Sequence, residues 1–327
     1  MRLVALRRNA LIHLAWFMPL AWVRSAVALL LRRVDILYFS DGVMGALAPF
    51  LKPFAGRCRF VVTIHGSELT FANSLARWLM RFGCSRCDHL VTVSENTKKI
   101  ALDMGLPAAR LSVIYGGISP PQIDATRHDE IKTEFEAAYS VRFGADRVLL
   151  NLGRQVPRKG LVAFLEKGFD LLLDADVRLF IAGSGPELGQ LREVVEARGF
   201  AERVAILGAV SDDVAAFLRH SADLFIMPNI PLADDVEGFG LAPLESMYCG
   251  TPVIAFAVDA LVESVREGGF LIEAGDYASL ASQIEAYFDL SLEARREFGE
   301  KTRQYILREC DWNRTAAEYG HLFCEIP

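Results

Sequence analysis

Residues 148–160 read VLLNLGRQVPRKG: five residues of strand character, a glycine, then cations leading into a helical stretch at 160–173. A continuous apolar strand is one covered on both faces, and a strand running through a glycine turn into a helix is the repeating unit of a parallel sheet. The same pattern recurs on either side. Strand character falls at 35–39, 60–64, 89–93, 111–114, 177–182, 204–207, 224–227 and 252–255. Helical spacing falls between them at 46–51, 74–82, 97–104, 187–198, 213–220 and 241–249. The expected class is α/β. The alternation pauses at 116–146, a polar stretch carrying Pro120-Pro121 that reads as a connection between domains. One domain is expected over 1–125 and a second over 145–305, with a helical ending from 280 to 323.

The 327 residues leave room for two ordinary domains, and 52% apolar with 23% charged residues excludes intrinsic disorder. No solenoid or propeller period is present. The net charge of −6 hides an asymmetry: residues 1–120 carry +9 and the remainder −15. A basic half suggests an anionic partner, either a phospholipid surface or a phosphorylated acceptor. No basic stripe with interleaved aromatics points to nucleic acid. Six cysteines in a chain this long make no disulfide framework. Cys84 and Cys87 form one C-x-x-C without the second pair that zinc wants, so thiols in a reducing cytoplasm are expected, and no metal site.

The N-terminal stretch is apolar after Arg2, Arg7 and Arg8, but its uncharged run, 14–23, contains Pro19 and ends at Arg24. A membrane span wants about 20 apolar residues, and 23–26 is a poor cleavage site. A helix lying in a core or on a membrane surface is expected. With Trp16, Phe17, Trp22 and six arginines between Arg2 and Arg33, peripheral association with the cytoplasmic membrane face is a further expectation.

Four strand ends carry chemistry. Gly153 allows close approach of a ligand, and Arg154 and Lys159 offer it a two-oxygen fork and a point charge, which suits a diphosphate. Gly183 and Gly185, with Pro186 after them, mark a tight turn with exposed backbone N–H groups; Leu188 in the third glycine position speaks against an NAD fingerprint. In 237–245, EGFGLAPLE, a glycine-bracketed turn enters a helix whose free N–H groups suit an anion or several hydroxyls. Glu237 and Glu245 would lie ~12 Å apart if the segment were helical throughout, and carboxylates accept from paired hydroxyls. His65, followed by Gly66 at a strand end, is a candidate ligand contact.

Taken in order, VVTIHGSEL, LVTVSENTKKIALDMGL, LSVIYGGI, NLGRQVPRKG, FIAGSGPELGQL and the E-x7-E segment within PNIPLADDVEGFGLAPLESMYCGTPVIAF resemble glycosyltransferase family 4, the retaining group of GT-B fold, over roughly residues 35–323. The resemblance implies two Rossmann-like domains facing across a cleft, the second holding the sugar nucleotide, and a last helix, 306–327, packing back toward the first. It implies that Arg154 and Lys159 neutralise the donor diphosphate. Glu237 would contact the donor sugar and Glu245 the ribose. The backbone of Gly238, Phe239, Gly240 and Leu241 would surround sugar and phosphates, and Gly183 and Gly185 would form the turn beside the nucleoside. His65 would lie near the sugar. Two departures stand out. The family's opening strand, glycine-rich turn and long helix have no counterpart, so the first domain is expected to be incomplete and its sheet to favour self-association or a protein partner. After PVIA, the family's Gly-Gly turn is replaced by 256–263, FAVDALVE, which keeps only Glu263.

The function so implied is a retaining hexosyltransferase, metal-independent and without cofactor, moving a sugar from a nucleotide-diphosphate sugar to a glycan or lipid-linked acceptor in polysaccharide or glycolipid synthesis. The rival readings are another GT-B enzyme, such as a sugar-nucleotide 2-epimerase, and a catalytically impaired nucleotide-sugar-binding or partner subunit.

Overall fold

The structure, a computed structural model, describes residues 10–70, 73–119, 121–172 and 175–326. Arg2, Arg7, Arg8 and Pro120 of the sequence reading lie outside them. The chain forms two compact units: Met1–Tyr115 with Ala317–Pro327, and Gly116–Ala316.

The first unit begins with α1 (Ala10–Leu30), which contains Pro19. There follow β1 (Ile36–Phe39), the short helices α2 (Gly42–Gly45) and α3 (Ala48–Leu51), β2 (Arg59–Ile64), α4 (Ser74–Cys84), β3 (His89–Thr92), α5 (Glu95–Asp103) and β4 (Leu111–Val113). The four strands lie in chain order in one parallel sheet, with Val61 opposite His89 and Leu90 opposite Leu111. Three of the helix starts carry a side-chain cap: Asp41, Asn73 and Ser94 accept from the free N–H groups of α2, α4 and α5. One sheet face buries Phe60, Val62, Ile64 and Leu90 with Ala26 and Leu29 of α1. The other buries Val61, Val91 and Ile114 under Tyr319, Leu322 and Phe323, near the end of the chain. A line of hydroxyls, Tyr38–Thr63–Tyr319, with both links at 2.7 Å, ties that ending to the sheet. Cys84 and Cys87 are fully buried free thiols in this core.

The second unit opens with α6 (Ala125–Tyr139), a helix of 15 residues where the sequence reads as a polar connection. Its apolar residues are sparse, but Phe135 and Tyr139, one turn apart, both meet Phe180, and Phe135 also meets Phe217. Then come β5 (Arg147–Leu152), α7 (Leu161–Lys167), β6 (Val177–Ala182), α8 (Leu188–Ala197), β7 (Val204–Gly208), α9 (Asp212–Ser221), β8 (Leu224–Met227), α10 (Leu241–Tyr248), β9 (Val253–Phe256), α11 (Leu261–Val265) and β10 (Gly269–Ile272). The ending read as one helical segment is three helices, α12 (Tyr277–Phe288), α13 (Leu292–Glu309) and α14 (Trp312–Glu325). All six strands are parallel, in the order β10-β9-β8-β5-β6-β7. The chain therefore winds outward one way from β5 to β7, returns beside β5 as β8, and winds the other way. The reversal lies between β5 and β8, and the crevice beyond the carboxyl ends of such a pair is where open α/β sheets bind ligands.

Candidate functional site

The carboxyl ends of β5 and β8 are tied by Asn151, whose buried Nδ2 donates to Ile226 O at 2.9 Å. Beyond β5 the chain makes two turns. The first, 153–155, interlocks with the turn after β6: Gln155 N donates to Ser184 O and Gly153 N to Ala182 O, both at 3.0 Å. The approach is close enough that a Cβ on Gly183 would lie 1.8 Å from Gly153 O, and one on Gly185 1.9 Å from Gln155 O. Only glycine fits at these two positions, so the predicted pair is a packing requirement of the crevice wall. Gln155, buried, braces the turns by donating to Gly153 O and Ala182 O at 3.0 Å.

The second turn, Pro157–Lys159, sends two cations inward. Arg158 and Lys159 are both buried, whereas Arg154 is exposed. Lys159 Nζ lies 2.5 Å from Glu237 Oε2, Asn229 Nδ2 donates to the same oxygen at 3.2 Å, and Arg158 Nε stands 3.5 Å from it. Arg158 also meets both oxygens of Asp235, at 3.1 and 3.2 Å. Burial opposes ionisation of Glu237, but Lys159, Arg158 and Asn229 outweigh it and hold its carboxyl below the usual range. The backbone is fixed as well: Glu237 N donates to Asp259 Oδ2 at 2.9 Å, and Ile230 N to Arg158 O at 2.9 Å. Burial raises the carboxyl of Asp259.

Glu237 precedes α10, which starts only at Leu241 with Gly240 as its N-cap residue. The eight-residue spacing to Glu245 is thus not a continuous helical span, and the ~12 Å separation reckoned for one does not apply. Phe239 is buried, Gly238 half-buried and Leu241 exposed. Glu245, on α10, pairs with Arg219 of α9; burial raises its carboxyl against the pull of that guanidinium.

In the first unit His65 is exposed at the end of β2, its Nε2 2.9 Å from Ser40 O. The buried Glu68 accepts from His65 N at 2.7 Å and from Gly42 N at 3.4 Å, so it clamps the turns after β2 and β1 together.

Of the residues singled out from sequence, the second unit therefore gathers Lys159 and Glu237 into one buried cluster. Arg154 stands outside that cluster and Glu245 is held by another partner. Sequence reasoning missed Arg158, Asn229, Asp259, Arg219 and Glu68. Arg158 was in plain view beside Lys159, and the turn-forming Pro157 before it was the signal that both side chains leave the helix face. Asn229 and Asp259 had none, because each depends on which strand end lies beside which. Among the described residues no group of three or more His, Cys, Asp or Glu is placed to hold a metal ion. No helix among them is long and apolar enough to cross a membrane.

Residues 133–305 match the family Glycosyl transferases group 1, and residues 3–121 match Glycosyltransferase Family 4. The chain is 26% identical over 300 residues to an N-acetyl-alpha-D-glucosaminyl L-malate synthase of Bacillus anthracis, covering 90% of this chain and 75% of that protein. It is 28% identical over 299 residues to a GDP-mannose-dependent alpha-(1-6)-phosphatidylinositol monomannoside mannosyltransferase of Mycolicibacterium smegmatis, covering 88% and 76%. In fold it is similar to Anabaena Alr3699/HepE, solved in complex with UDP and glucose, with a TM-score of 0.76 at 18% identity over 95% of this chain and 83% of that one. The parallel sheets, the two units and the family match over more than half of the chain lead to one conclusion: it belongs to glycosyltransferase family 4 and is a glycosyltransferase of GT-B fold.

Proposed function

We propose that the chain moves a sugar, with retention at the anomeric carbon, from a nucleotide-diphosphate sugar to a glycan or lipid-linked acceptor in the synthesis of a surface polysaccharide or glycolipid. One observation carries this reading: Lys159, Arg158 and Glu237 converge at the point where the second sheet reverses, just ahead of the free N–H groups of α10. Lys159 and a helix start favour the diphosphate, while Arg158, held by Asp235, braces Glu237. A carboxylate held ionised favours sugar hydroxyls. With Oε2 of Glu237 engaged by Lys159 and Asn229, Oε1 is the oxygen that would accept from them.

In this reading Arg154, exposed at the mouth, and Lys159 stabilise negative charge on the leaving diphosphate. The bond from the anomeric carbon to the phosphate oxygen breaks as the acceptor oxygen bonds to that carbon on the same face. The departing phosphate oxygen takes the acceptor's proton. The protein contributes positioning and charge stabilisation, so no divalent cation is required. The backbone of Gly153, Gly183 and Gly185 and of 238–241 would border the donor, and Glu245, steadied by Arg219, would accept from the ribose. His65 would be a ligand contact of the first unit. A relative that is a GDP-mannose-dependent transferase, and a neighbour in fold solved with UDP and glucose, are in keeping with a nucleotide-sugar donor. Six free cysteines suit a reducing compartment.

The test is a screen of nucleotide sugars for binding and for release of the nucleotide, repeated with EDTA, with the anomeric configuration of the product read by NMR. One nucleotide sugar should bind and turn over, chelator should leave the rate unchanged, and the donor configuration should persist. Binding of none, or loss of turnover in EDTA restored by Mg²⁺, overturns the reading.

A further inference from the structure

A surface helix normally turns a polar face to water. The helix α1 does not. Its inner side is conventional: Ala26 and Leu29 are buried, with Met18 and Trp22 packed against the first unit's core. Its outer stripe, at positions 16, 20, 23, 27 and 30, follows helical spacing and consists of Trp16, Leu20, Val23, Val27 and Leu30, each 45–64% exposed. No charged residue interrupts that stripe. The apolar surface continues beside it as an open groove of about 660 Å³, lined by Met18, Trp22, Phe50 and Phe54 among others, with Phe50 itself exposed.

Arginines predominate among the charges at the margins. Arg24 flanks the stripe, Arg32 and Arg33 follow the helix, and Arg57 follows the groove; all four are exposed. Among residues 10–87 the acidic side chains are Asp35, Asp41 and Glu68, of which Glu68 is buried and only Asp35 is exposed. An apolar stripe on the outer side of a helix either meets another apolar surface or meets hydrocarbon. This one is open to solvent on its outer stripe.

We propose that α1 docks the protein onto an anionic lipid bilayer, lying in the plane of the interface with Trp16, Leu20, Val23, Val27 and Leu30 in the acyl boundary and the arginines among the headgroups. Arginine suits that margin, since its stem can remain in apolar surroundings while the guanidinium reaches phosphate. The attraction has two separable parts: a headgroup part that weakens with salt, and an acyl part that does not.

Vesicle flotation of the intact chain tests this without any transferase assay, so its outcome is independent of the donor chemistry proposed for the second unit. Vesicles of phosphatidylcholine mixed with phosphatidylglycerol should bind the chain, and vesicles of phosphatidylcholine alone should bind it much less. Leu20→Glu/Val27→Glu, at exposed positions, should lower partitioning at least ~10-fold with an unchanged thermal unfolding curve. Arg32→Gln/Arg33→Gln should lower it roughly 5-fold per arginine and flatten the salt dependence. Absence of binding to either vesicle overturns the proposal, as does undiminished binding of the glutamate variant. Equal binding to both lipid compositions overturns it too. So does light scattering that finds a dimer which the glutamate variant abolishes while vesicles bind neither form.

Discussion

Two cations assigned to one diphosphate differ in what they do before any donor arrives, and this difference can be measured. Arg154 is exposed, so Arg154→Ala should shift stability by no more than about 0.5 kcal/mol. Lys159 is buried 2.5 Å from Glu237 Oε2. At an effective dielectric constant near 20 that separation corresponds to a gross attraction of about 7 kcal/mol, most of it offset by desolvation. Removing one partner of a buried pair costs about 3–5 kcal/mol. Arg158 and Asn229 remain on the carboxylate, so Lys159→Met should fall at the lower end, near 3 kcal/mol. Turnover should drop ~30- to 1,000-fold in both variants, the loss expected for one charge-assisted contact to developing negative charge. Because two units need not unfold together, stability is best read by hydrogen exchange in urea on peptides covering β5 and β8. Nucleotide release gives the rate. Turnover of Arg154→Ala within ~3-fold of wild type would refute its role at the diphosphate, and unchanged exchange in Lys159→Met would refute the buried pair.

Glu237→Gln should be less stable than wild type at neutral pH. The carboxyl is held low in the folded chain, so its stabilisation is present above the unfolded value of ~4.3 and is lost as pH falls through the folded value; the gap between the two proteins should close in acid, as read by the same exchange experiment. Gly183→Ala places a methyl 1.8 Å from a backbone oxygen at φ 118°, and should cost the second unit ~3 kcal/mol or more in urea unfolding. Burial pushes the Cys84 thiol up to about 12, and Cys87 is raised likewise, so a disulfide reagent should label exposed Cys324 in the native chain and reach the other two only in denaturant.

Strand–glycine–helix alternation was enough to read the α/β class and most strands, because parallel strands are apolar throughout and their turns are punctuated. What escaped was whatever depended on a neighbour. The helix α6 escaped because its apolar side consists of little more than Ile131, Phe135 and Tyr139 in a charged sequence, and their partners Phe180 and Phe217 lie on β6 and α9. Likewise β10 is only four residues, Gly269–Ile272, and its pairing with β9 is what makes it a strand. The site divides in the same way. Lys159 and Glu237 were legible from residue type and position, but that they meet each other depends on β5 lying beside β8, which no local pattern encodes. Glu68 stands three residues after His65 and reads as an ordinary turn acid until Gly42 is seen on its other side.

The hydroxyl line Tyr38–Thr63–Tyr319 joins residues 256 apart at its second link. During translation, β1 through β4 leave the ribosome about 200 residues before Tyr319, Leu322 and Phe323 do. At ~5–20 residues per second this is a wait of roughly 10–40 s, in which the face formed by Val61, Val91 and Ile114 lacks its cover. The second unit, from Gly116 to Ala316, is made in the interval. The half of the chain made earliest thus keeps one sheet face uncovered until its last residues are made.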